Sequence, residues 1–200
     1  MQILTRVLVV LFLALGPSAA LTPASAQDGD AEAFISELGE AALRMLANQE
    51  ITEAQRVADF RRILMDGFDL PLIGRYALGR YWRRASEAER EEFVVLFESF
   101  VVESYAARLG QYSGEKFEVG ATRVESDGDS IVRSKIILPS GPAVRVDWRV
   151  RPSDGHYKVV DVIVEGISML ITQRDEFSSV IQRSGGQIEG LLASLRERVR

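Results

Sequence analysis

The feature that most constrains this chain is a change, near its middle, in the spacing of its apolar residues. Up to about Gly110 they recur every three to four positions, and from Phe117 onward every second position. The first spacing puts apolar side chains on one face of a helix, the second on one face of a strand. A switch in this order implies helices first and a sheet second, an α+β chain.

The helical half divides at its caps. Phe34, Ile35, Leu38, Ala42, Leu43, Met45 and Leu46 form one stripe ending near Asn48, preceded by a short polar leader over Gln27 to Asp30. Thr52 and Gln55 form a capping box for a second helix carrying Val57, Phe60, Ile63, Leu64 and Phe68, closed by Gly67. Asp69-Leu70-Pro71 starts a short third helix to Leu78, because the carboxylate accepts from first-turn amides and proline loses no helical bond there. Ser86 and Glu89 box the start of the longest helix, with Phe93, Leu96, Phe97, Phe100, Val101 and Tyr105 on its apolar face and Gly110 as its stop.

Four strands follow, over Phe117–Glu125, Ser130–Leu138, Ala143–Arg151 and His156–Glu165. The connections Asp127-Gly128-Asp129, Pro139-Ser140-Gly141-Pro142 and Ser153-Asp154-Gly155 are short enough to make them antiparallel hairpins. In the third strand Val144, Val146, Trp148 and Val150 alternate with Arg145, Asp147, Arg149 and Arg151, giving one buried and one charged face. Residues Ile167 to Ile171 read either as the last strand continuing past a bulge at Gly166 or as an early helix start. Two short helices, Arg174–Arg183 and Gln187–Arg198, close the chain on either side of Ser184-Gly185-Gly186.

The first 26 residues read as an export signal. Arg6 precedes an apolar run from Val7 to Leu15, too short for a bilayer, and Ala24-Ser25-Ala26 fits the signal-peptidase pattern, with cleavage expected after Ala26. The expected organisation is a cleaved leader over 1–26 and one domain over 27–200. Removing the leader takes Arg6 from the 24 basic residues and leaves all 29 acidic ones, a formal charge of −6 that argues against a nucleic-acid partner. With no cysteine, disulfides and thiol chemistry are excluded.

The residues offer little to catalysis. The single histidine, His156, sits beside a turn with no serine-hydrolase elbow to accompany it, so it reads as a strand-start residue. Glu87, Glu89, Glu91 and Glu92 occupy the first turns of a capped helix, where the macrodipole favours negative charge, rather than a metal site. Asp127 and Asp129 lack the remaining ligands of a calcium loop. No Gly-rich phosphate loop is present, and neither enzyme, metal nor cofactor is expected.

The stretch Phe68-Asp69-Leu70-Pro71-Leu72-Ile73-Gly74-Arg75-Tyr76-Ala77-Leu78-Gly79-Arg80-Tyr81-Trp82-Arg83 resembles the signature of the MlaC, or toluene-tolerance, family. The resemblance continues through Glu89 to Tyr105, through Val160 to Met169, and through Arg174-Asp175-Glu176-Phe177 with Gly186, Ile188, Gly190, Leu191 and Leu195. Hopanoid-associated HpnM proteins look similar over the same region, which leaves phospholipid or hopanoid, and carrier or adaptor, open. The resemblance implies a nuclear transport factor 2-like fold, in which helices on a curved, twisted antiparallel sheet enclose an apolar pocket for phospholipid. It also implies location in the periplasm and traffic between an outer-membrane lipoprotein complex and an inner-membrane ABC transporter with its substrate-binding-domain subunit.

On that reading the pocket lies between the strand face of Val144, Val146, Trp148, Val160, Val162 and Val164 and the helix residues Ile73, Tyr76, Phe97, Val101 and Tyr105, with Ile167 and Met169 at its far end. Arg75, Arg80, Arg83 and Arg84 are the candidates for contact with a lipid headgroup or an acidic partner.

Overall fold

A computed structural model describes residues 24–106 and 109–199. Its elements run α1 (Ala24–Ala47), α2 (Glu53–Gly67), α3 (Leu70–Leu78), a 3-10 turn (Gly79–Tyr81), α4 (Glu87–Ala106), a second 3-10 turn (Leu109–Gln111), β1 (Lys116–Val124), β2 (Ser130–Ile137), β3 (Val144–Ser153), β4 (His156–Val164), β5 (Ile167–Ser168), α5 (Met169–Arg183) and α6 (Ile188–Arg198). The export signal lies outside the described residues up to position 23. Helix α1 begins at Ala24 and takes in the stretch expected to be a polar leader, because after Pro23 nothing breaks a run of good helix formers until Gly29, which the helix absorbs.

The caps fall where the side chains demand them. Thr52 Oγ1 accepts from the Gln55 amide at 3.2 Å while the Gln55 side chain accepts from the Thr52 amide at 2.8 Å. Ser86 and Glu89 repeat this pattern at 3.3 and 2.8 Å. Asp69 accepts from the Leu72 amide at 3.0 Å and so fixes the start of α3.

The five strands form one antiparallel meander in the order β1-β2-β3-β4-β5. Ser153 pairs with His156, so β3 and β4 join through the two residues Asp154 and Gly155. At the end of β4 the chain reverses: Val164 pairs with Ile167 across Glu165 and Gly166, both at positive φ (50° and 84°). This is the backbone of a tight primed hairpin turn, for which glycine carries no steric penalty. The long, bulged continuation weighed for Ile167–Ile171 is therefore replaced by a turn, two strand residues and an early helix. Asp161 explains the early start: its carboxylate accepts from Ser168 Oγ at 2.6 Å and from the Leu170 amide at 3.1 Å, while Ser168 caps α5 through the Ile171 amide.

One irregularity changes which valines share a face. Trp148 pairs with Val162 and Val146 with Val164, but Val150 pairs with Val159, leaving Val160 as the extra residue of a bulge. Val159 takes the place on the sheet face that strict alternation assigns to Val160.

Three apolar clusters hold the molecule. Helix α1 lays Ala31 and Ile35 on Val132, Val150 and Val159 of the sheet. Helices α3 to α6 close on Phe93, Phe97, Phe100, Phe177, Ile181 and Leu192, among others, with Phe93 stacked on Phe97 at 5.7 Å and Phe177 edge-on to both. A small third cluster joins Leu64 of α2, Leu70 of α3 and Val102 of α4. Gly74 sets the spacing of α3 and α4, since a Cβ there would lie 3.0 Å from Phe97 and 3.3 Å from Phe93. Replacing Gly74 with valine forces two methyl groups into that contact, and urea unfolding of G74V is expected to show a loss of about 1–3 kcal/mol.

Candidate functional site

The stretch Phe68 to Arg84 ties the helical layer to the sheet. Phe68 forms a parallel bridge with Val159, and the Asp69 amide donates to the Val159 carbonyl at 3.0 Å. The Phe68 ring meets Trp148 edge-on at 6.4 Å between centroids, and Phe117 meets the same indole from β1 at 6.1 Å. Trp148 is held in place by its only polar atom: Nε1 donates to Ser134 Oγ at 2.9 Å, and that hydroxyl donates onward to the Val146 carbonyl at 2.7 Å. With its donor satisfied inside the sheet, the indole presents an apolar surface.

The three clusters meet through half-buried residues. Phe68 packs against both the sheet cluster and the small third cluster, while Ile73 and Val101 pack against both the helical core and the third cluster. Along β3 and β4, Val144, Trp148, Val162 and Val164 are half-buried, whereas Val146 is buried. Tyr105 is 43% exposed with its ring 6.4 Å from Phe60. The seam between α2, α3, α4 and the β3–β4 face is thus lined by large apolar groups that are neither packed away nor fully in water.

Several residues expected in this wall stand elsewhere. Phe97 is fully packed between Phe93 and Phe177 in the helical core, because its α4 face turns toward α3 and α5. Val160 is displaced by the bulge and is buried. Tyr76 is exposed, with its hydroxyl directed at the Arg151 guanidinium. Ile167 is 60% exposed beside the turn after β4, and Met169 is half-buried at the first residue of α5. Phe68, Phe117, Phe60 and Val159 belong to the seam or its floor and were not assigned to it from sequence. Only the period-2 placement of Phe117 pointed there.

The other sheet face carries a buried ionic group that composition alone does not reveal. Asp129 is 1% exposed and accepts from Arg149 Nε at 2.7 Å and from Arg151 Nε and Nη2 at 2.7 and 2.8 Å. Asp127 takes the remaining Arg149 Nη2 at 2.5 Å. Burial by itself pushes the Asp129 carboxyl up, but the hydrogen bonds and charges of Arg151 and Arg149 outweigh it and hold the group below its ordinary value.

The arginine candidates sit together at the end of α3. Arg75, Arg80, Arg83 and Arg84 are exposed. Arg80 and Arg84 lie 5.0 and 5.5 Å from the centroid of the buried Tyr81 ring, and Arg80 donates to the Tyr81 hydroxyl at 3.0 Å, which holds that phenol below its usual range.

Two cavities lie outside the seam. One of about 700 Å³ opens between α5 and α6, and its wall includes Thr172, Asp175, Glu176, Arg183, Ser194 and Arg198. Another of about 470 Å³ lies between α1 and the β3–β4 turn, lined by Asp30, Glu37, Asp66, His156 and Lys158 with Phe34 and Tyr157. His156 is exposed there. The wall of the first is mainly polar and suits water better than hydrocarbon, whereas the second is mixed, with Phe34 and Tyr157 beside charged groups.

The model of the family described as MlaC protein matches residues 36–197. The chain belongs to the MlaC family. It is 27% identical over 141 residues to the intermembrane phospholipid transport system binding protein MlaC of Haemophilus influenzae, covering 68% of this chain and 65% of that one. It is also 26% identical over 110 residues to the toluene tolerance protein ttg2D of Pseudomonas putida, covering 55% and 51%. The matched segments thus span between half and two thirds of these relatives. A solved phospholipid-binding protein from Ralstonia solanacearum, in complex with a phospholipid, superposes with a TM-score of 0.75 at 24% identity, over 85% of this chain and 97% of that one. This MlaC-family chain therefore has the fold of that protein, helices on an open antiparallel sheet, and the HpnM alternative is not needed.

Removing the charge of Asp129 tests the ionic group on the sheet. Its folded-state carboxyl titrates below the ordinary 3.8, so its contribution is complete above that pH and is lost as pH falls through the depressed value. D129N is expected to lose about 3 kcal/mol in urea unfolding at neutral pH and to show a flatter decline in acid than the parent.

Proposed function

We propose that this chain is a periplasmic phospholipid carrier that shelters acyl chains along the seam between α2–α4 and the β3–β4 face. Membership of the MlaC family is the observation that carries this reading, and the half-buried apolar seam is the surface that fits it. A relative named for intermembrane phospholipid transport and a solved protein of the same fold holding a phospholipid support the choice of cargo. The protein exchanges this cargo with an outer-membrane lipoprotein complex and an inner-membrane ABC transporter, and catalyses no reaction. Export by the leader over 1–26, cut after Ala26, delivers it to the periplasm.

The physical requirement is simple. Each methylene exposed to water costs about 0.8 kcal/mol, so a soluble carrier must cover most of both tails. Val144, Val146, Trp148, Val162 and Val164 offer one wall and Ile73, Val101 and Tyr105 the facing one. Phe68 and Phe117 extend the first wall around the indole. The phosphate stays at the rim, since burying it without partners is unfavourable.

Organic extraction of protein purified without detergent, followed by mass spectrometry, is expected to release stoichiometric phospholipid. Val162→Trp puts an indole where tail methylenes would lie. Displacing about two of them costs roughly 1.6 kcal/mol, or about tenfold in retention. Val162 is the better test because Val146 is already buried, and a large ring there strains the sheet. Phospholipid absent from the parent protein would leave an adaptor without transport role as the reading, whereas unchanged lipid in a folded V162W would remove Val162 from the wall.

A further inference from the structure

Among the described residues, eight cations of this acidic chain are paired with a carboxylate, Arg44 with Glu40 being one such pair. Arg61, Arg62, Arg123, Arg145, Arg149, Arg151 and Arg196 each face a carboxylate. The cations at the end of α3 differ from the other unpaired ones in being clustered. Arg75, Arg80, Arg83 and Arg84 lie within ten residues, all are exposed, and among the described residues none makes an ion pair. Of the carboxylates in the first turns of α4, Glu92 is paired with Arg196, while Glu87, Glu89 and Glu91 remain as local counter-charge.

The guanidiniums are held in place as well as unpaired. Tyr81, 3% exposed, carries Arg80 and Arg84 over its ring, so two of the four charges rest on a fixed platform. Aromatic groups alternate with them: Tyr76 is 47% exposed and Trp82 is half-buried, with Arg90 stacked 5.6 Å from its ring. Arginine interleaved with tyrosine and tryptophan is the composition of a surface that sits at the level of phospholipid headgroups.

From this we infer that the end of α3 and the turn after it form a docking face for anionic phospholipid bilayers. Neither cavity described above is lined by these arginines, and their exposed guanidiniums offer a spread of donors suited to many phosphates. The acidic remainder of the chain is repelled by the same surface. Attraction at one end with repulsion elsewhere orients the molecule, so that it meets a membrane α3-first. The inference gives the carrier reading a contact surface and rests on it for its purpose. Docking is read as vesicle binding and cargo as extracted lipid, so either reading can fail while the other stands.

The test is co-sedimentation of the protein with vesicles of phosphatidylglycerol and phosphatidylcholine, against phosphatidylcholine alone. The expected result is binding to the anionic vesicles at low ionic strength, lost near 0.5 M salt as screening shortens to a few ångströms. Arg83→Glu with Arg84→Glu is expected to lower the partition coefficient at least about tenfold. Arg133→Glu with Lys135→Glu reverses two exposed, unpaired cations on β2 and is expected to lower it far less, although the net charge changes equally. Equal binding to neutral and anionic vesicles, equal loss in both double variants, or no loss in R83E/R84E would overturn the inference. So would capture by polyglutamate-coated beads with none by anionic vesicles, which would assign the face to an acidic protein.

Discussion

The fold depends on one junction, where Phe68 and Asp69 fasten the helical layer to the exposed edge of β4. Three bonds of different kinds meet there. The Phe68 ring closes on Trp148, the Asp69 amide donates to Val159, and the Asp69 carboxylate caps α3. Because the bulge at Val160 falls next to Val159, the strand bends where the helices attach. The position of α3 then fixes α4 through Gly74, and with it the seam that faces β3 and β4.

That geometry separates the solid parts of the molecule from the adaptable one. The ring cluster of Phe93, Phe97, Phe100 and Phe177 and the α1–sheet cluster are packed as ordinary cores, and supply the stability that a chain without disulfides needs. The residues between them are large, apolar and half-buried. An apolar surface of that kind is costly in water unless something covers it, and acyl chains cover it without asking for a polar partner. On the proposed reading, lipid tails and the protein interior solve the same problem for one another.

Much of this was legible in the sequence because it is local. Capping boxes at Thr52 and Ser86, the Asp69-Pro71 start and the strand alternation all act within a few residues, and each falls where the pattern places it. What was not legible is tertiary. The start of α5 is decided by Asp161, seven residues before Ser168, so the run Ile167–Ile171 reads equally as continued strand or early helix until the two meet. The Val160 bulge exchanges Val159 for Val160 on the sheet face, an effect of pairing that period-2 reasoning cannot contain. Phe97 lies on the same helical stripe as Val101, yet Phe97 is buried in the ring cluster while Val101 is only half-buried between two clusters. Asp129 reads from the sequence as a turn residue beside the charged face of β3, whereas it is buried beneath Arg149 and Arg151.

The central claim is that fatty chains lie against the indole of Trp148, under the α3–α4 layer. A crystal structure of protein purified without detergent tests it most directly. The account predicts continuous, unbranched density running past Trp148 toward Ile73 and Val101. Side chains from α3 and α4 in van der Waals contact with the β3–β4 valines, with hydrocarbon density only in the groove between α5 and α6, would contradict it.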